Sequence, residues 1–157
     1  MSGLRWLWVS LFIILSDQWS KGWIEITYVL GQTSIVFSWL NITRLHNTGA
    51  AFSFLADAGG WQRWFFTALA LAVSGVLLWW LKNLVPERQK LLGLALALVL
   101  GGAIGNVIDR IEHGYVVDFI HAHWGGAFFP AFNIADAAIS IGAVFLFLDA
   151  LREGRRI

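Results

Sequence analysis

Apolar residues run along this chain in long blocks, with the charged residues gathered between them. Trp64 to Leu81 and Leu91 to Ile108 contain no charged side chain. Each would make about 27 Å of helix at roughly 1.5 Å per residue, close to the thickness of a bilayer's hydrocarbon core. Two further uncharged runs, Leu7 to Ser16 and Ala137 to Leu148, are shorter than the ~20 residues that a span requires. If these cross too, ionisable groups must enter the membrane region. For the first run these are Asp17 and Lys21; for the last, Asp136 or Asp149. The pattern predicts spans at about 4–23, 62–81, 91–109 and 133–151 within one membrane-embedded domain, with extracytoplasmic segments at about 24–61 and 110–132.

The stretch from Ile24 to Gly60 is too polar to span and too aromatic for a plain loop. Ile26–Leu30 and Ser34–Leu45 are rich in β-branched and aromatic residues, and Gly31-Gln32 between them is a turn signal. They predict a small sheet lying on the membrane surface. The later segment, Glu112 to Asn133, carries Gly125-Gly126 and Pro130 and reads as a second surface element. No internal repeat or low-complexity tract interrupts the chain. The fold class expected is an α-helical integral membrane protein: four transmembrane helices, a small extracytoplasmic β-sheet and surface loops.

Composition agrees. Of the 157 residues 58% are hydrophobic and 13% charged, against about 25% charged in soluble domains. So small a soluble domain could not bury that much apolar surface. A net charge of +1 without a basic run excludes an electrostatic nucleic-acid binder. The absence of cysteine removes disulfides, thiol nucleophiles, thiolate metal sites and cysteine lipid anchors. Arg5 before Trp6–Leu15 resembles a signal peptide, but no small-x-small site follows, and the segment is expected to stay as the first helix. Seven basic residues (Arg5, Lys82, Arg88, Lys90, Arg152, Arg155, Arg156) fall on the side of the termini and the 82–90 loop, and four (Lys21, Arg44, Arg63, Arg110) on the other. Positive charge favours the cytoplasm, so both termini are expected there, with Asp17, Asp118 and Asp136 toward the outer face.

Ionisable groups at membrane depth are costly and therefore candidates for function. Asp118 sits in the apolar run Val116-Val117-Asp118-Phe119-Ile120, and Asp136 in Phe132-Asn133-Ile134-Ala135-Asp136. Taken singly, Asp136 reads equally well as a helix cap and Asp118 as a surface turn residue. Taken together they suggest a pair. Two carboxylates in contact share a proton, so that one can take a proton from water while the other polarises a carbonyl. Peptide hydrolysis by this route needs no metal or cofactor.

Asn106, Asp109 and Arg110 close the third span, after small residues at 101, 102, 103 and 105 that permit close helix approach. Arg110 could pair with Asp109 or another carboxylate, bind a phosphate or carbonyl, or rest at the headgroups. Asp17 and Lys21, four apart on one helix face, read first as a structural ion pair. Asn47-Thr48-Gly49 could be a simple turn. His121 and His123 alternate as metal ligands in a strand could, with Asp118 the one obvious third ligand nearby. Trp61, Trp64 and Trp124 read as interface anchors. No Gly-x-Ser-x-Gly elbow supports a serine hydrolase.

Five blocks in order resemble bacterial lipoprotein signal peptidase (signal peptidase II) over nearly the whole chain. They are Asp17-Gln18-Trp19-Ser20-Lys21, Asn47-Thr48-Gly49-Ala50-Ala51-Phe52, Gly101 through Arg110, Val116–Ile120 and Phe132–Asp136. The resemblance implies a membrane aspartyl endopeptidase of the bacterial inner membrane. Its substrates would be prolipoproteins already carrying a diacylglyceryl group, cut just before the lipidated lipobox cysteine. By motif match Asp118 and Asp136 are the catalytic dyad, and Asp17, Lys21, Asn47, Gly49, Asn106, Arg110 and Asn133 line or support the site. Asn106 and Asn133 would orient the aspartates or the scissile peptide. The resemblance further implies inhibition by globomycin and no metal or cofactor, and the chain is expected to act as a monomer among membrane lipids.

Two positions depart from the family pattern. Ser20 stands where many members have Thr, which keeps the hydroxyl. His121 stands where many have an acidic residue, which sets the His pair outside the pattern. Two other classes of function compete. A small transporter or proton channel would use Asp17, Asp118 and Asp136 as relay carboxylates, but needs polar groups along the whole path. A non-catalytic lipid-binding or assembly protein would explain the aromatic surface, but not two asparagines and two aspartates at these spacings.

Overall fold

Helix α3 (Lys90–Glu112) is the axis of the molecule, because its small residues let two other helices approach its backbone. A Cβ at Gly101 would stand 2.9 Å from the backbone of Ser10, and one at Gly102 would collide with the carbonyl oxygen of Ala135. Helices α1 (Leu7–Thr27) and α4 (Ile134–Gly154) therefore pack along this seam, with α2 (Trp61–Asn83) on another flank. A computed structural model describes residues 3–49, 60–85 and 89–154. Gly3–Trp6 form a 3-10 turn leading into α1.

Among the described residues, α2, α3 and α4 are long and apolar enough to cross a membrane. In the spanning window 67% of α3 is buried in the protein, against 22% of α2 and 17% of α4, so α3 is surrounded by protein and the other two face lipid. Their outward residues include Trp64, Phe65, Leu69, Val76, Val144 and Phe147. Helix α1 is also long, with 21 residues, but carries Asp17, Lys21 and Glu25. The structure resolves that conflict by turning Asp17 and Lys21 inward, where both are buried. Four transmembrane helices result.

At one end of the bundle lies a four-stranded antiparallel sheet in the order β1 (Thr33–Phe37), β2 (Leu40–Asn47), β3 (Val116–Trp124), β4 (Ala127–Phe128). It differs from the sequence expectation in three ways. Ile26 and Thr27 do not begin a strand; they finish α1, and Tyr28 N–H still bonds the Ile24 carbonyl at 2.9 Å. The run 34–45 is two strands, turning at Ser38-Trp39 with Phe37 opposite Leu40. Half of the sheet also comes from the later segment, with Asn47 opposite Val116 and Leu45 opposite Asp118. Gly31 does serve as a turn: its φ of 80° suits glycine, and its N–H bonds the Arg44 carbonyl at 2.8 Å.

Arg44 fastens the sheet to α1. Its guanidinium donates to the carbonyls of Glu25 and Tyr28 and pairs with the Glu25 carboxylate at 3.2 Å. Beside it the His46 ring stacks on Tyr115 with centroids 3.7 Å apart. Burial, and then the Arg44 charge, hold the His46 imidazole below its ordinary pKa, so it packs as a neutral ring. Trp61, Trp64 and Trp124 are exposed as expected of interface anchors, Trp124 at 83%.

Candidate active site

The C-terminal end of α3 meets the start of α4, the middle of α1 and the strands β2 and β3. Each contributes between one and three polar side chains to a continuous network. The α4 contribution follows from helix capping. Asn133 precedes the first turn and its Oδ1 accepts the Asp136 N–H at 2.9 Å, while the Asp136 Oδ2 accepts the Asn133 N–H at 3.3 Å. This reciprocal pair is a capping box with Asp in the acidic position. The capping role foreseen for Asp136 is thus met, and it leaves Oδ1 free to accept from Asn106 Nδ2 at 2.8 Å.

Asp118 is held on both oxygens. Asn133 Nδ2 donates to Oδ1 at 2.7 Å and Asn47 Nδ2 to Oδ2 at 3.0 Å. Asn47 reaches it from the end of β2, and its own Oδ1 accepts the Gly49 N–H at 3.0 Å, so the turn and the site use one residue. Arg110 does not pair with Asp109. It donates to the Gly49 carbonyl at 2.9 Å and the Asn106 carbonyl at 3.3 Å, with its guanidinium 5.7 Å from the Phe66 ring centre. Asp118 is buried, and burial first, then the Asp136 charge, raise its carboxyl to about 7. The Asp136 charge reaches Asp118, so the two carboxylates stand within electrostatic range of each other.

Behind the pair lies a buried ionic cluster. Lys21 Nζ stands 2.7 Å from Asp17 and 2.9 Å from Asp109, and donates to Asn106 Oδ1 at 3.0 Å. The ion pair expected between Asp17 and Lys21 is present, but it is joined by a second carboxylate. Asp17 Oδ1 also accepts the Ala135 N–H at 2.9 Å, at the positive end of α4. Gly105 makes room for it, since a Cβ there would lie 2.7 Å from Asp17 Oδ2.

All nine residues singled out in the sequence, Asp17, Lys21, Asn47, Gly49, Asn106, Arg110, Asp118, Asn133 and Asp136, fall in this one network. Asp109, read in the sequence only as a possible partner of Arg110, and Gln18 belong to it as well. Gln18 Nε2 donates to Asp109 Oδ1 at 2.8 Å and to the Gly105 carbonyl at 3.1 Å. Their signal was their place inside two of the five blocks. Ala50, Ala51 and Phe52, and most of the segment 47–60, lie outside the described residues. The His pair stands apart: on β3 Asp118 and His121 are three residues apart and point to opposite faces, and His121 and His123 lie against Phe128 at 4.8 Å. Among the described residues no three His, Asp or Glu groups stand together as metal ligands.

Residues 9–152 match the family described as signal peptidase (SPase) II. The chain belongs to the signal peptidase II family. It is 54% identical over 153 residues to a lipoprotein signal peptidase of Alteromonas mediterranea, covering 98% of this chain and 84% of that one. With a lipoprotein signal peptidase of Shewanella woodyi it shares 50% over 150 residues, covering 96% and 85%. A solved bacterial membrane enzyme superposes with a TM-score of 0.86 at 30% identity, over 96% of this chain and 89% of that one. A second such structure gives a TM-score of 0.79 at 30% identity. The four helices and the small sheet are thus shared with solved bacterial membrane enzymes.

Proposed function

We propose that the chain is an aspartic-type membrane endopeptidase that removes signal peptides from prolipoproteins. The substrate is the diacylglyceryl-modified precursor, cut just before the lipidated cysteine. The observation that carries this reading is the pair Asp118 and Asp136, each carboxylate held by asparagine side-chain amides where the spanning helices meet the sheet. Asp118, with its carboxyl raised to about 7, carries the shared proton at neutral pH. Asp136, held by Asn106 and the Asn133 N–H, acts as the base.

A water between them gives its proton to Asp136 and its oxygen to the scissile carbonyl, which Asp118 polarises by donating its proton. Collapse of the tetrahedral intermediate breaks the C–N bond: one hydroxyl of the diol returns its proton to Asp118, and the amine leaves with the proton from Asp136. Asn106 and Asn133 keep the two carboxyls oriented; Asp17 and Lys21 keep the asparagines oriented; Arg110 and Gly49 hold the neighbouring loop. The apolar flanks of α2 and α4 suit a substrate whose acyl chains and signal helix stay in lipid. The basic-residue count favours both termini in the cytoplasm, with the dyad toward the outer face of the inner membrane. A monomer suffices, since the network is complete within one chain, and globomycin-type inhibition is expected from family membership. The outer segment near 120–130 is expected to close over the substrate; full turnover with it crosslinked to a helix would refute closure.

The test is incubation of a diacylglyceryl-modified prolipoprotein with the purified protein in detergent, with and without EDTA, reading the new amino terminus by mass spectrometry. Cleavage before the lipidated cysteine, unaffected by EDTA and blocked by globomycin, is expected. Folded protein that leaves the substrate intact but passes protons in liposomes would overturn the reading in favour of a transporter.

A further inference from the structure

Asp109 is almost fully buried, and its side chain makes three polar contacts, two to α1 and one to β3. Its Oδ2 lies 2.9 Å from Lys21 Nζ on α1 and accepts the Val117 N–H on β3 at 3.1 Å. Its Oδ1 accepts Gln18 Nε2 at 2.8 Å. Two of these contacts, those to Val117 and Lys21, lead on to the dyad. Val117 is the residue before Asp118, so the Val117 bond fixes the strand from which Asp118 projects. Lys21 donates to Asn106 Oδ1, and an amide whose oxygen is so engaged must turn its NH2 the other way, where Asn106 Nδ2 meets Asp136 Oδ1. The same Asn106 oxygen receives Asn133 Nδ2 at 3.3 Å, the group that also holds Asp118.

We propose that Asp109 is a positioning residue for the dyad, setting Asp118 through the Val117 backbone and Asp136 through Lys21 and the Asn106 amide. The proposal rests on the peptidase reading for its kinetic consequences, but its geometry is testable without them. Its charge is part of the device: Lys21 faces two carboxylates, Asp17 and Asp109, and their joint pull holds the ammonium where it can still reach Asn106. Asp17 alone would draw it toward α4. Gln18 supports Asp109 by occupying the oxygen that Lys21 does not use.

The experiment compares Asp109→Asn, Asn106→Ala and the double variant, purified in detergent. Two readouts are taken: kcat and KM on the lipid-modified precursor, and the side-chain amide signals of Asn106 and Asn133 in 15N-asparagine-labelled protein. The Asn106 signal is assigned by its loss in Asn106→Ala. Asp109→Asn is expected to lower kcat about tenfold or more with KM within about twofold, the mark of an interaction felt at the chemical step. It should also shift both asparagine signals. In the double variant the two losses of kcat should combine to less than their product, since the Lys21 route from Asp109 runs through Asn106. Losses that multiply, or amide signals that stay in place in Asp109→Asn, would overturn the proposal. If the wild-type protein fails to cleave, the peptidase reading falls, and the amide signals still decide whether Asp109 positions the site. Should Asp109→Asn not fold, Gln18→Met must move the same signals in the same direction by a smaller amount; no movement would equally overturn it.

Discussion

The two halves of α3 hold the molecule together by different means. In its first half Leu92, Leu96 and Leu100 pack with Leu77, Leu81 and Leu84 into an apolar core, edged by Trp6, Leu7 and Leu146. In its second half Gly101, Gly102 and Gly105 bring α1 and α4 close, and the contacts become directional: Asn106, Asp109 and Arg110 each bond to fixed partners. The leucine half secures the helices through volume and shape, which tolerate exchange. The polar half secures atoms to within tenths of an ångström, because a buried donor or acceptor left unpaired is expensive. The difference predicts that substitutions in the first half change stability with little effect on turnover, and that substitutions in the second change turnover first.

The largest effect is expected at the dyad. Asp118→Asn and Asp136→Asn should each lower kcat by about a thousandfold or more, since one general acid or base contributes roughly 10²–10⁴-fold and the two act on one water. Binding of the lipid-modified precursor should survive in both, and residual cleavage near the wild-type rate in either would remove that residue from the chemistry.

Next comes the ionic cluster behind the dyad. Lys21→Met leaves Asp17 and Asp109 buried without their cation. Breaking a buried pair in this way costs about 3–5 kcal/mol, read as a lower thermal midpoint in detergent together with lost activity. The contrasting substitution is Leu96→Ala. Leu96 is fully buried in the leucine half, and truncation there should cost about 2–5 kcal/mol of stability, yet leave kcat within about twofold because the site is remote. Equal losses of turnover in the two variants would erase the distinction between the halves.

The same contrast governs what was legible in the sequence. The apolar spans could be read directly, because lipid imposes length and composition on every residue of a span. The inward turn of Asp17 and Lys21 was legible as a conflict between a short apolar run and the need to cross. Asp118 and Asp136 stood out as carboxylates at membrane depth, and motif order gathered them with the seven supporting residues into one site. Hidden from both were Asp109, whose three bonds depend on α1, α3 and β3 meeting in space, and Gln18, which looks like any helix-surface polar residue until Asp109 is beside it. The hairpin at Ser38-Trp39 escaped because the turn carries no Gly, Pro, Asn or Asp, and a lone serine is a weak turn signal. The partnership of β2 with β3 escaped because their pairing joins residues about 70 positions apart, such as Leu45 and Asp118.

The smallest effect, and the one that tests the electrostatics most directly, is the pH dependence. Asp118 titrates near 7 in the folded protein against 3.8 ordinarily, so the fold favours its protonated form. As pH rises through about 7 that proton is lost, and kcat should fall by up to about tenfold per unit on the alkaline side, as expected when one protonated group is required. Its contribution to stability has the same sign: full below about 4, and lost as pH rises through the folded value. Asn47 donates to Asp118 Oδ2 at 3.0 Å and thereby favours its charged form. Asn47→Ala should therefore move the alkaline limb of the kcat profile to higher pH, while Leu96→Ala leaves it in place. An alkaline limb that stayed fixed in Asn47→Ala would mean that a group other than Asp118 carries the proton. The division of labour between the two aspartates would then have to be reversed, with Asp136 as the acid and Asp118 as the base.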